Sequence, residues 1–311
     1  MIPVFESIIP IFLLVLLGNR LKAHFAFEPG LWRGLEQLGY YVLYPALLFL
    51  TIFRADFSGV ALNGIVLALA SAFLLVSATV LALWPALDAK RLVRRSQYSS
   101  VFQTAIRWNG FVALAVAERL FPAQGPGIVA LVMAGLIIPI NIASVAVCAA
   151  FGGSGFSIVG VLRKLATNPL ILAVVAGLVA RLIPPLQYPP VGETLHLLGR
   201  AALGMGLISI GAGLRVADTL HFNTPLVLPS VTKLLVFPGL VLCFALGLGV
   251  PGSQLQLLAL CASVPTAMNG YLLARQMNGD AELYAAIVTV QTAASFLTIP
   301  AVLAVAGYLG G

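Results

Sequence analysis

Charge is what this sequence has least of. Asp, Glu, Lys and Arg make up 9% of its 311 residues, against roughly a quarter in soluble domains. That scarcity excludes a water-facing surface over most of the chain. Acidic residues are the rarer sign, ten against seventeen basic ones. None falls in the middle of an apolar run, which disfavours an antiporter built on a buried carboxylate pair. Sodium held only by carbonyls, Asn, Ser and Thr stays open. Cys148, Cys243 and Cys261 stand singly without CxxC spacing, and His24, His196 and His221 have no ligand partner at helical spacing. Neither disulfides, a metal site nor a cofactor is expected. HExxH, GxSxG and paired intramembrane His or Asp are missing, and Gly152-Gly153-Ser154-Gly155 fails the nucleophile-elbow spacing. An enzyme is therefore not expected. The N-terminal stretch lacks a basic region and a small-residue cleavage site, so it reads as a first span and not as a removable signal peptide.

What the chain has instead is apolar length. Hydrophobic residues reach 60%, the mean hydropathy is +1.05, and runs of about 20 apolar residues follow one another almost without pause. The expectation is an all-α polytopic protein of the plasma (inner) membrane. Its ten transmembrane helices fall at about 3–21, 37–53, 59–84, 98–120, 126–150, 168–184, 194–213, 225–248, 255–277 and 283–308. The net charge of +7 is a topology signal, not a nucleic-acid one, because the basic residues lie in short loops. With the N-terminus outside, the inner loops hold Arg20, Lys22, Arg33, Lys90, Arg91, Arg94, Arg95, Arg163, Lys164, Arg215 and Arg275. The outer loops hold Arg54, Arg119, Arg181 and Arg200. That asymmetry places both termini outside.

The halves repeat at an offset of about 160 residues. Pro10 and Gly18 match Pro169 and Gly177, Leu35-x-x-Leu38-Gly39 matches Leu195-x-x-Leu198-Gly199, Asn109-Gly110-Phe111 matches Asn269-Gly270-Tyr271, and Ile138-Pro139 matches Ile299-Pro300. Five spans per half make the second half cross in the opposite sense. Two inverted five-helix repeats provide two nearly isoenergetic arrangements open to opposite sides, the basis of alternating access.

The fourth and ninth spans carry the residues least suited to hydrocarbon: Gln103, Arg107, Asn109 and Gly110 in one, Pro265, Thr266, Asn269 and Gly270 in the other. Gly110, Pro265 and Gly270 mark helix breaks, and Asn can bond the backbone groups a break frees. Half-helices restarting at the midplane would aim their positive N-terminal ends at one region. Asn109, Asn269, Arg107, Gln103 and Thr266 are thus the candidate substrate-binding set, suited to a carboxylate that Arg107 can bind bidentately. The competing reading makes the Asn residues plain caps and pairs Arg107 with backbone carbonyls. Lys233 lies about six residues into the eighth span, roughly 9 Å deep; it either snorkels to the interface or is a fixed charge in place of a coupling cation. Asn141, Gln291, Thr292 and Ser295 put polar atoms in spans 5 and 10, as cavity or ion-site candidates or as bridges between helices.

At these residues the sequence resembles the auxin efflux carrier family, including its bacterial members. The likeness rests on Ile9-Pro10-Ile11-Phe12, Tyr40-Tyr41-Val42-Leu43-Tyr44-Pro45-Ala46-Leu47-Leu48, Arg107-Trp108-Asn109-Gly110-Phe111, Asn168-Pro169-Leu170 and Pro265-Thr266-Ala267-Met268-Asn269. It implies a fold similar to the bile-acid sodium symporters, with helices 4 and 9 broken and crossing. The implied scaffold covers 1–58 (helices 1 and 2) and 168–222 (helices 6 and 7), and the implied transport unit covers 59–151 (helices 3–5) and 223–311 (helices 8–10). A linker at 152–167 joins the halves. Elevator-type motion and a homodimer through the scaffold helices are also implied. Plant members have proline at both crossings, whereas Ala105 stands opposite Pro265 here. The expected function is secondary transport of a small organic anion, a mono- or dicarboxylate of which auxin is one example, with the bilayer as surroundings and no nucleic-acid partner. A sodium- or proton-coupled symporter is the alternative, and a non-transporting receptor the more distant one.

Overall fold

The computed structural model describes residues 2–25, 27–58, 60–152, 159–160, 163, 166–182, 189–215 and 223–311. Most of the expected linker, Lys164, Pro184-Pro185 and His221 lie outside these residues. The described chain is helical, without strands. Its helices are α1 Ile2–His24, α2 Pro29–Leu38, α3 Tyr44–Arg54, α4 Leu62–Ala89, α5 Arg95–Ile106, α6 Gly110–Leu120 and α7 Gly125–Gly152. The second half holds α8 Pro169–Ala180, α9 Pro189–Gly213, α10 Thr224–Val231, α11 Phe237–Gly247, α12 Gly252–Ser263, α13 Gly270–Gln276 and α14 Ala281–Gly310. Single π-helical turns, Gly39–Leu43 and Thr232–Val236, join α2 to α3 and α10 to α11.

Local chemistry sets several of these starts. Asn168 accepts from the Leu170 N–H at 2.9 Å, with Pro169 in the first turn of α8. Asn223 and Asp280 cap α10 and α14 through the Leu226 and Leu283 N–H groups. Each Asn or Asp supplies the acceptor that the first turn of a helix lacks.

Seven helical segments among the described residues are long and apolar enough to cross a bilayer: Val4–His24, Gly30–Arg54, Leu62–Ala89, Gly125–Gly152, Pro189–Gly213, Thr224–Gly247 and Ala281–Gly310. Their surfaces carry bare Leu13, Leu74, Leu197 and Leu297, as an apolar solvent requires. The spans expected at 98–120, 168–184 and 255–277 are not among these seven; their regions hold the shorter helices α5 and α6, α8, and α12 and α13. The second span begins near Pro29 rather than residue 37, because the π turn continues α2 into α3.

α1 packs along α9, and α3 packs along α8. Both contacts depend on glycine. A Cβ at Gly18 in α1 would run into the carbonyl oxygen of Ile208 in α9, and one at Gly177 in α8 would press on that of Phe49 in α3. The same offset separates Gly18 from Gly177 and Phe49 from Ile208. Cations at the ends of α1 and α8 show the same relation. Lys22 donates to the Ala212 carbonyl at 2.8 Å, capping the C-terminus of α9. Arg181 donates to the carbonyls of Ile52 (2.9 Å), Phe53 (3.5 Å) and Ala55, capping α3. A cation at a helix C-terminus meets orphan carbonyls and the negative end of the dipole. The remaining helices form a second group in which α4 lies on α5 and α11, α7 on α5 and α6, and α14 on α10, α12 and α13.

Overpacking a tight contact costs about 1–3 kcal/mol. Gly18→Ala is expected to lower the thermal midpoint of the detergent-solubilised protein, whereas Gly34→Ala, with open space around it, leaves it unchanged. Equal midpoints for the two variants would contradict the close approach of α1 to α9.

Candidate functional site at the crossing of two helix breaks

α5 stops at Ile106, and Arg107 (φ −70°, ψ 155°) and Asn109 (φ −102°, ψ 90°) are extended before α6 begins at Gly110. α12 stops at Ser263, Val264 is extended, and the chain recoils only at Gly270. Pro265 lacks the N–H that would continue α12. Gly270 is required because the Tyr284 hydroxyl lies where its Cβ would be.

The two breaks are tied to each other. The Thr266 hydroxyl lies 2.8 Å from the Thr104 carbonyl and 3.1 Å from that of Arg107. Gln291 in α14 accepts the Thr266 N–H at 3.0 Å and donates to the carbonyls of Thr104 (2.9 Å) and Pro229 (3.3 Å). One amide thereby joins α5, α10 and the second break. Tyr284, one helical heptad before Gln291 on α14, donates to the Ala267 carbonyl at 2.6 Å. Backbone groups released by interruption are thus satisfied inside the protein, as the bilayer interior demands.

Arg107 sits at this crossing, 5% exposed. Its Nε donates to Gln103 Oε1 at 3.1 Å, Nη2 to Asn141 Oδ1 at 3.2 Å and Nη1 to Asn269 Oδ1 at 3.4 Å. Gln103 and Asn141 are held in turn, Gln103 donating to Cys148 Sγ at 3.2 Å and Asn141 to the Ile137 carbonyl at 2.9 Å. Among the described residues no carboxylate pairs with Arg107; the ion pair present joins His196 to Glu193. Three neutral oxygens solvate the guanidinium without cancelling its charge. The geometry therefore offers an anion a site with donors in place and the positive charge uncompensated.

The two asparagines differ. Asn109 is buried and accepts from the Val112 N–H at 3.3 Å, which makes it the cap of α6. Asn269 makes no cap bond and is exposed. From it α13 leads to a cavity of about 500 Å³ lined by Arg215, Tyr271, Arg275, Asp280 and Glu282. Thr292 is buried with its hydroxyl unpartnered, and Ser295 bonds within its own helix to the Thr292 carbonyl at 2.7 Å. Lys233 is fully buried and does not snorkel. It stands apart from the Arg107 cluster, donating to the Ala262 carbonyl at 2.7 Å.

Sequence reasoning missed Tyr284, Cys148 and Tyr44. Tyr284 and Gln291 share a face of α14 by their seven-residue spacing, a signal that could have paired them. Tyr44 stacks on Phe111 with ring centroids 3.7 Å apart and lies against Gly206, so it links α3 and α9 to α6.

Gln291→Leu leaves the buried Thr266 N–H without its acceptor, at about 1–3 kcal/mol, and takes one donor each from the Thr104 and Pro229 carbonyls. Its thermal midpoint is expected to fall well below that of Ser295→Ala, whose hydroxyl bonds only within α14. Equal midpoints would contradict the role given to Gln291.

A family described as "Membrane transport protein" matches residues 156–303. An "Uncharacterized transporter" of Methanothermobacter thermautotrophicus is 23% identical over 95% of this chain and 96% of its own length. A Rhizobium meliloti protein named "Putative malonate transporter" is 28% identical over 51% of each chain. Over residues 156–303 the chain is thus similar to the membrane transport protein family, the auxin efflux carriers whose motifs it resembles, and with its apolar helices and these relatives it reads as a membrane transporter.

Proposed function

We propose that the protein carries a small organic anion, a mono- or dicarboxylate, across the membrane by alternating access, with the carboxylate bound between Arg107 and Asn269. The carrying observation is the buried Arg107 guanidinium, held where both helix breaks meet by three amide oxygens and, among the described residues, by no carboxylate. Gln103 and Asn141 orient the guanidinium, Asn109 and Thr266 hold the breaks, and the exposed Asn269 is the approach. Its 3.4 Å contact is the longest of the three, so a carboxylate replaces it most readily. The relative named for malonate transport favours the dicarboxylate class.

The inverted five-plus-five arrangement is supported by the paired Gly18 and Gly177 approaches and by the paired Lys22 and Arg181 caps. Elevator-like motion is supported by the closer packing of α1–α3, α8 and α9 among themselves than against the other helices, which they meet where α1 touches α6 and α3 touches α7. In this reading the former are the scaffold, through which two copies pair, and the latter move. The excess of Lys and Arg in one set of loops favours termini on the outside of the plasma membrane.

Uptake of radiolabelled malonate and succinate into proteoliposomes tests the site. Arg107→Ala is expected to lower uptake by a factor of roughly 100 and Asn269→Ala by roughly 10, as for loss of a charged and a neutral hydrogen bond respectively. Arg107→Lys, a point charge without the fork, retains part of the activity. Undiminished uptake by monodisperse Arg107→Ala protein would overturn the assignment.

A further inference from the structure

Among the described residues a second cation is buried in the spans, Lys233, and it has no part in the site above. It lies in the π-helical turn Thr232–Val236, a feature frequent at functional positions, and none of its surface is exposed. Its ammonium lies 4.6 Å from the centre of the Phe237 ring and donates to the Ala262 carbonyl at 2.7 Å. Ala262 is in the last turn of α12, which ends at Ser263. The last carbonyls of such a half-helix lack intrahelical partners and carry about −0.5 of an elementary charge. In carriers with broken helices, these ends and the unwound carbonyls beside them hold the coupling cation.

Here the chain supplies a cation of its own. The ring face and the helix end both favour the charged ammonium, and among the described residues no Asp or Glu pairs with it. The end of α5 is provided for differently: its Thr104 carbonyl is met by the Thr266 hydroxyl and the Gln291 amide, while Arg107 donates to side-chain oxygens. Of the two half-helices that enter the crossing, α12 is the one that ends on a cation. A lysine placed only to fill space would leave its ammonium at the nearest interface, whereas Lys233 spends it on a carbonyl next to the break.

We propose that Lys233 takes the place of a coupling cation at the carbonyl end of α12, so that anion transport by this protein needs no sodium. Removing its ammonium leaves an unfilled cation site of backbone oxygens. The inference rests on the carrier reading above and adds to it the source of the charge at the second break.

The test compares malonate uptake in sodium, lithium and choline buffers, together with thermal midpoints in detergent in the same salts. Wild-type protein is expected to transport equally in sodium and choline, and Lys233→Arg to keep most of that rate. Lys233→Ala is expected to be roughly tenfold slower in choline, a typical coupling between sites, and to regain much of the rate in sodium or lithium. Its midpoint rises with sodium, as binding to the native state requires, while the wild-type midpoint does not. Sodium-dependent uptake by the wild type overturns the proposal whatever the variants do. So does Lys233→Ala that matches the wild type in choline, or that is slow in every salt with a sodium-insensitive midpoint. Wild-type vesicles that take up no carboxylate would instead refute the carrier reading, and the sodium shift of the Lys233→Ala midpoint would still decide whether the carbonyl end binds a cation.

Discussion

Inside a bilayer an interrupted helix has no water with which to satisfy its freed N–H and C=O groups. The crossing meets that demand with side chains from distant parts of the chain. Thr266 reaches the carbonyls at the end of α5, Gln291 serves both breaks and α10, and Tyr284 takes the Ala267 carbonyl. Without these bonds the backbone groups freed after Ile106 and Ser263 would lie unsatisfied in the bilayer. The extended segments that hold Arg107 and Asn269 would then be costly to keep. The packing of α14 against α12 and α13 is in this sense a condition of the site, since α14 carries both Gln291 and Tyr284.

The electrostatics follow from which partners were used. Arg107 paired with a buried carboxylate would be neutralised, and a substrate anion would have to displace a charge. Amide oxygens hold the guanidinium in a fixed orientation while leaving its charge for the proposed anion. Bonds to an ionised acceptor are roughly twice as strong as neutral ones, so exchanging the Asn269 oxygen for a carboxylate oxygen is favourable. Lys233 is stabilised differently, by a helix end and a ring face. The two cations thus occupy different environments, Arg107 among side-chain amide oxygens and Lys233 on a backbone carbonyl and a ring face.

Much of this was legible in the sequence because it is local. Apolar runs gave the seven long spans, Asn-Gly and Pro265 gave the positions of the breaks, and a lone arginine in an apolar stretch marked Arg107 as out of place. The non-equivalence of Asn109 and Asn269 was not legible, since the two sit in matching Asn-Gly motifs. Only the fold decides that one caps α6 and the other faces Arg107. Lys233 was ambiguous for a similar reason: its depth along the span is a sequence property, but its carbonyl partner lies on another helix. The π turns, the stacking of Tyr44 on Phe111 and the triple use of Gln291 depend on contacts between distant segments, to which periodicity is blind. The repeat offers a partial exception. The matched glycines Gly18 and Gly177 proved to serve matched backbone approaches.

The central claim is that a carboxylate binds at Arg107, and the most direct measurement is an experimental structure determined in saturating malonate. The account predicts ligand density within hydrogen-bond distance of the Arg107 guanidinium, with Asn269 turned from Arg107 towards the ligand. Density confined to the cavity at Arg215 and Arg275, with Arg107 still bonded to Gln103, Asn141 and Asn269, would contradict it.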